Sequence, residues 1–187
     1  MGRIEFDQEH RFMKSPRADL EADCWAFALE VYARPQVADA CLELQNQAGV
    51  DVMMLLVIAF ATVRLRILLT AAEIGELAAV CRPWREQIVL PLRAIRSGLK
   101  TGPSPAPCSE TEQFRSKMKT IEIAAERLQN QLLVDCLPLR TPGKDAVGPD
   151  ELRSVLHTVV AQFLGRRGNK PDTNLLSAVD ALSLIHI

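Results

Sequence analysis

The sequence predicts an all-α protein, a helical bundle with a long antiparallel helical hairpin. Three observations carry this. Between residues 77 and 100, Leu77, Cys81, Trp84, Ile88, Pro91 and Ile95 recur at alternating steps of four and three, the spacing of a buried helical seam. No segment offers a convincing strand pairing or an internal repeat. Phe, Trp and Tyr make up only 5% of the chain, which suits helices better than sheets.

Residues 1–18 are expected as a loose extension, polar and of mixed charge. Asp19 or Asp23 then caps a first helix whose apolar side is Leu20, Trp25, Phe27, Ala28, Val31 and Tyr32. Arg34-Pro35 breaks it, with Pro35 suited to the first turn of a second helix. Val37, Ala40, Cys41 and Leu44 line that helix, and Gly49 closes it. Asp51 caps the most apolar helix, 52–63, which is apolar all round as a central helix should be. Thr70 with Glu73 forms a capping box for the helix that runs into the 77–100 seam. Pro83 bends that helix or opens a new one, and Pro91 should kink it.

Residues 101–108 (TGPSPAPC) make a clear break. Ser109 with Glu112 reads as a second capping box. The long helix behind it has Phe114, Met118, Ile121, Ala125, Leu128, Leu132 and Cys136 as its expected seam. The two seamed helices should fold back on one another as the hairpin. The bundle domain therefore spans 19–137. A linker comes next at 138–149 (PLRTPGKDAVGP), then a partial helical tail at 150–181 with a basic turn at 165–170. The last six residues, 182–187 (LSLIHI), resemble the translation of a transposon-end adapter used to build sequencing libraries, so the natural chain is expected to end or continue differently there.

The 187 residues are 48% hydrophobic and 24% charged, with 22 Lys and Arg against 23 Asp and Glu. That is an ordinary soluble balance, long enough for a real core and for one domain, with room for a small second one. A net charge of −1 supplies no global field toward nucleic acid or membrane, so any such attraction must come from a local patch. The longest apolar run, 52–61, is far short of the ~20 residues that span a bilayer. Five cysteines with no C-x-x-C pair point to a reducing compartment. Cys41, Cys81 and Cys136 read as small hydrophobes on apolar faces, and Cys108 as the most exposed thiol.

The local patch worth naming is the row Arg82, Arg85, Arg93, Arg96 and Lys100, opposite the 77–100 seam. It could contact a protein partner, an anion or a phosphate backbone. It could equally pair with carboxylates across the hairpin, such as Glu112, Glu122 or Glu126. No aromatic residue interleaves with the arginines, so bases would find no stacking platform.

Other chemistry is poorly supported. His10, His157 and His186 are the only histidines and lie far from any Cys or carboxylate at ligand spacing, so no metal is expected. There is no G-x-S-x-G elbow and no Gly-rich phosphate loop, and no cofactor is expected. Glu122 and Glu126 share a face, which reads as a solvated helix surface beside Lys119 and Arg115. Trp25 and Trp84 read as core.

Residues 23–137 also resemble a small bacterial family of uncharacterised helical proteins, domain of unknown function 2390. The resemblance is carried by Cys24-Trp25-Ala26-Phe27-Ala28-Leu29, Tyr32-Ala33-Arg34-Pro35 and Ala40-Cys41-Leu42-Glu43-Leu44-Gln45. It continues through Gly49-Val50-Asp51-Val52, Pro83-Trp84-Arg85, Pro91-Leu92-Arg93 and Glu122-Ile123-Ala124-Ala125-Glu126. After Asp51 the chain reads Met53-Met54, where such families carry Asn and Trp. The resemblance implies a helical fold and a cytoplasmic setting, and transfers no site. Residues 152–182 are weakly similar to acyl-carrier domains, but Ala181 stands where those carry the Ser that holds the cofactor arm.

The expected function is a non-enzymatic helical interaction module that docks a protein partner. The alternative is a small anion or nucleic-acid binder that uses the basic row. The first requires that the row, or an apolar patch beside it, stay exposed. The second loses its support if the row is internally salt-bridged. An enzyme would need a concave pocket with convergent polar groups.

Overall fold

A computed structural model describes residues 16–141, 147–165 and 173–184. His10, His186, most of the N-terminal extension and most of the basic turn lie outside them. Among the described residues the regular structure is helical throughout. The elements are α1 (Pro16–Tyr32), α2 (Val37–Glu43), α3 (Val52–Val63), α4 (Ala71–Trp84), α5 (Leu90–Gly98), α6 (Ser109–Asp135), α7 (Pro149–Gly165) and α8 (Thr173–Ser183).

The centre is α3, buried from Met53 to Thr62 on every side. With 12 residues it is a core helix, and no described helix is long and apolar enough to cross a membrane. The Asp51 carboxylate caps it, accepting from the Met54 N–H at 3.2 Å. Helices α1, α6 and α7 pack directly on α3. Truncating a central side chain such as Leu55 to Ala would cost about 2–5 kcal/mol.

Local signals act largely as the sequence indicates. Thr70 and Glu73 form a reciprocal capping box at α4. Gly49 closes the α2 segment at φ 66°, a left-handed conformation that favours glycine. Two starts differ. Gln36, at φ 67°, precedes α2, so Pro35 stands outside the helix. The box at α6 falls one residue early: Cys108 Sγ accepts from the Thr111 N–H and Thr111 Oγ1 accepts from the Cys108 N–H.

The largest departure lies between α4 and α5. Residues Arg85–Val89 form a single π turn, with i→i+5 bonding. Such a turn inserts one residue into the helical register and rotates everything after it by roughly 100°. Ile88 and Ile95, expected in the seam, turn outward, while Val89, Arg93 and Arg96 turn inward. Pro83 and Pro91 flank this turn, each lacking an N–H for the ordinary ladder. A similar π turn, Leu44–Ala48, comes after α2.

In α6 the buried face is Met118, Glu122, Ala125, Gln129, Asn130, Leu133 and Val134. Phe114, Ile121 and Leu128, expected in the seam, are 50%, 50% and 54% exposed. Cys136 is exposed as well. The pairings Arg93 to Glu126 and Arg96 to Glu122 run in opposite chain order, so α5 and α6 are antiparallel.

Helices α7 and α8 share the central core instead of standing apart from it. Leu152, Leu156, Val160, Phe163, Leu175, Val179 and Leu182 belong to one buried cluster with the residues of α3 and α4. α7 lies on α3 and α4, and α8 lies on α2 and α7. Apolar steps along 152–163 supply the docking face.

Candidate functional site

Two polar clusters sit where α4, the π turn and α5 meet the rest of the bundle. The first centres on Asp51, which is 4% exposed. Its Oδ2 accepts from Gln129 Nε2 at 2.5 Å and lies 3.7 Å from Cys81 Sγ. The Arg85 Nε stands 3.4 Å from the same oxygen. Arg85 Nη2 donates to the Gly49 carbonyl at 3.0 Å, and its guanidinium lies 5.8 Å from the centre of the Phe163 ring. A buried carboxylate is thus paired and hydrogen-bonded, the condition under which a charge persists inside a protein.

A cleft of about 180 Å³ opens over this cluster, lined by Asp51, Ala78, Cys81, Arg82, Arg85 and Phe163 among others. Burial first, and the Asp51 charge second, push the Cys81 thiol up to about 12. It therefore stays protonated at neutral pH and is no nucleophile. Among the described residues no three His, Cys, Asp or Glu side chains stand close enough to hold a metal ion.

The second cluster centres on Glu122, 5% exposed. Arg93 Nε donates to its Oε1 at 2.8 Å, and Arg96 reaches both its oxygens. Arg93 also bridges to Glu126 Oε1 at 2.5 Å and to Gln45 Oε1. Burial pushes the Glu122 carboxyl up, but hydrogen bonds from Arg96 and Arg93 prevail and hold it below the usual range. Glu126 goes the other way, raised by burial and by the neighbouring Glu122 charge despite Arg93. Beside this cluster Trp84 Nε1 donates to the Ala125 carbonyl at 3.0 Å, half-buried as an indole with its N–H satisfied.

The five cations expected as one row are therefore divided. Arg85, Arg93 and Arg96 turn inward onto Asp51, Glu122 and Glu126, and only Arg82 and Lys100 are exposed. Glu112 takes a different partner, Arg115 on its own helix. Sequence reasoning makes Asp51 a cap alone and gives Gln45, Cys81 and Gln129 no polar role. A signal is present: Met118, Glu122, Ala125, Gln129 and Leu133 also recur at steps of four and three, a second seam that is partly polar.

The surface of α6 carries an apolar line beside its partly polar buried face. Phe114, Ile121 and Leu128 stand seven residues apart on one line, and all three are half exposed. Their span of 14 residues is about 21 Å of helix. Lys117 is exposed beside them.

No curated protein and no solved structure matches the chain. A protein family of unknown function, DUF2390, matches residues 23–133, which runs from within α1 through most of α6 and takes in both π turns and every polar member of the two clusters. The chain belongs to that family, DUF2390.

Proposed function

We propose that the protein is a helical interaction module whose outer α6 ridge docks an amphipathic helix of a protein partner. The observation that carries this is the exposed line Phe114, Ile121 and Leu128 on α6, left outside while Glu122, Gln129 and Asn130 are buried beside Met118, Ala125, Leu133 and Val134. Three large side chains left half in water along one line are a surface awaiting burial. Their spacing of seven matches the apolar repeat of a helix packed side by side, and the exposed Lys117 suits a carboxylate on the partner's rim. The free thiols Cys24, Cys41 and Cys81, all buried, fit a reducing compartment such as the cytoplasm.

The alternative, binding of nucleic acid through the row, has weak support. Three of its five cations are already neutralised inside the bundle, and counterion release needs several free cations on one face.

A photo-crosslinking residue placed at Ile121 of the full chain tests the reading in cells that make the protein. The expected result is an adduct to one partner protein, mapped to an apolar helical face. It survives nuclease and high salt, is lost in Leu128→Lys, and is absent when the crosslinker sits at Leu42 on α2. Adducts only to a second copy, adducts abolished by nuclease, or none would each overturn it.

A further inference from the structure

Arg85 has three anchors and one open edge. Its Nε faces Asp51, its Nη2 is held by the Gly49 carbonyl, and its plane covers Phe163. Its Nη1 makes no hydrogen bond with any described residue. The anchors are themselves fixed. Asp51 is held by Gln129 and the Met54 N–H, and the Gly49 carbonyl leaves a closed left-handed turn. The Arg85 side chain is thus anchored, 15% exposed, and lines the 180 Å³ cleft.

We propose that this cleft binds a compact organic carboxylate through Arg85 and Arg82. Arg82 lines the same cleft, is exposed, and makes no ion pair among the described residues. Two guanidiniums against one carboxylate form short charge-assisted bonds, and an anchored arginine loses little freedom when it makes them. The remaining wall, Ala78, Cys81 and Phe163, is apolar and suits a short hydrocarbon portion. The volume is below the roughly 300–1,000 Å³ of sites for drug-sized ligands, which sets the ligand at a few carbon atoms. Asp51 and Glu86 also line the cleft, so a second negative charge on the ligand is disfavoured, and an amine beside the carboxylate would find Glu86. The π turn that begins at Arg85 sets Arg82 and Arg85 on either side of a register change, the kind of helix irregularity that often marks a binding site. The cleft shares no residue with the α6 ridge, and either can stand without the other.

The test titrates propionate, alanine and inorganic phosphate separately into the ¹⁵N-labelled full chain and follows the Gly49 amide and the Arg85 Nε–H by NMR. Propionate or alanine is expected to shift both signals saturably. Arg82→Gln is expected to weaken that binding about tenfold while leaving the fold intact, because the Arg82 side chain is exposed. Arg85→Gln is expected to abolish it, but strips Asp51 of its counter-charge and is therefore read beside Arg82→Gln. Shifts with phosphate alone, binding indifferent to Arg82→Gln, or no shift at tens of millimolar would overturn the proposal.

Discussion

Gln129 Nε2 donates to Asp51 Oδ2 at 2.5 Å across 78 residues of chain, and this bond ties the buried face of α6 to the first turn of α3. Asp51 thereby serves as helix cap, as acceptor for Gln129 and as counter-ion of Arg85. Each role satisfies an oxygen lone pair or a charge that burial would otherwise penalise.

Removing the hub should be far costlier than removing one spoke. Asp51→Ala leaves Arg85 without its counter-ion and α3 without a cap, for an expected loss of about 3–5 kcal/mol. Gln129→Leu leaves one acceptor underused, for about 1–3 kcal/mol. Urea denaturation of the full chain gives both values. Equal losses would show that the hub role is misassigned.

Glu122 and Glu126 should respond oppositely to acid. The folded-state pKa of Glu122 lies below the usual carboxylate value, so its stabilising contribution is present above that value. The contribution is lost as pH falls through the depressed pKa. Glu126 is raised, so it protonates at a pH above the usual value, before Glu122. At pH 7, Glu122→Gln should cost about 3 kcal/mol by leaving Arg96 and Arg93 short of a buried partner. Glu126→Gln should be neutral or raise stability by under about 1 kcal/mol at pH 7, because a raised carboxyl disfavours the fold when ionised, and its difference from the parent should vanish as Glu126 itself protonates. Stability measured from pH 7 to pH 3 for both variants checks this.

Thiol reactivity should separate the cysteines by burial. Cys24, Cys41 and Cys81 are buried, each with its thiol pushed up to about 12, chiefly by desolvation. The exposed Cys136 should label first, the half-buried Cys108 next, and the other three only on unfolding. Mass spectrometry of a timed labelling reaction reads the order, and early labelling of Cys81 would contradict it.

The sequence makes some of this legible and hides the rest for identifiable reasons. Asp51 before an unbroken apolar run, Thr70 three residues before Glu73, and Gly49 after a helical pattern are local signals, and all three hold. The π turn has no such signal. Pro83 and Pro91 announce a disturbed helix, but not that one residue is absorbed between them, so constant register gathers all five cations into one row. In α6 two seams of nearly equal spacing compete. Hydrophobicity favours the one through Phe114, Ile121 and Leu128, yet the fold buries the one through Glu122 and Gln129, because the inward arginines and Asp51 need those partners. The Pro- and Gly-containing stretch between α6 and α7 hides the covering of α3 by α7, because such a stretch reads as a linker whether or not the next helix docks.

The register change can be tested by deletion. Removing the exposed Gln87 should restore ordinary helical register and swing Arg93 and Arg96 outward by roughly 100°. The expected result is retained helicity with stability lowered by more than about 3 kcal/mol, as Glu122 loses both cations. Unchanged stability would mean that the π turn does not set their direction.

The most direct measurement of the central claim, that the inner cations are held by Glu122, is solvent exchange of the arginine Nε–H groups by ¹⁵N NMR. Arg93 and Arg96 should give slowly exchanging signals, both of which lose protection in Glu122→Gln, while Arg82 exchanges rapidly in either protein. Rapid exchange at Arg93 and Arg96, indifferent to Glu122→Gln, would return the basic row to the surface and contradict the account.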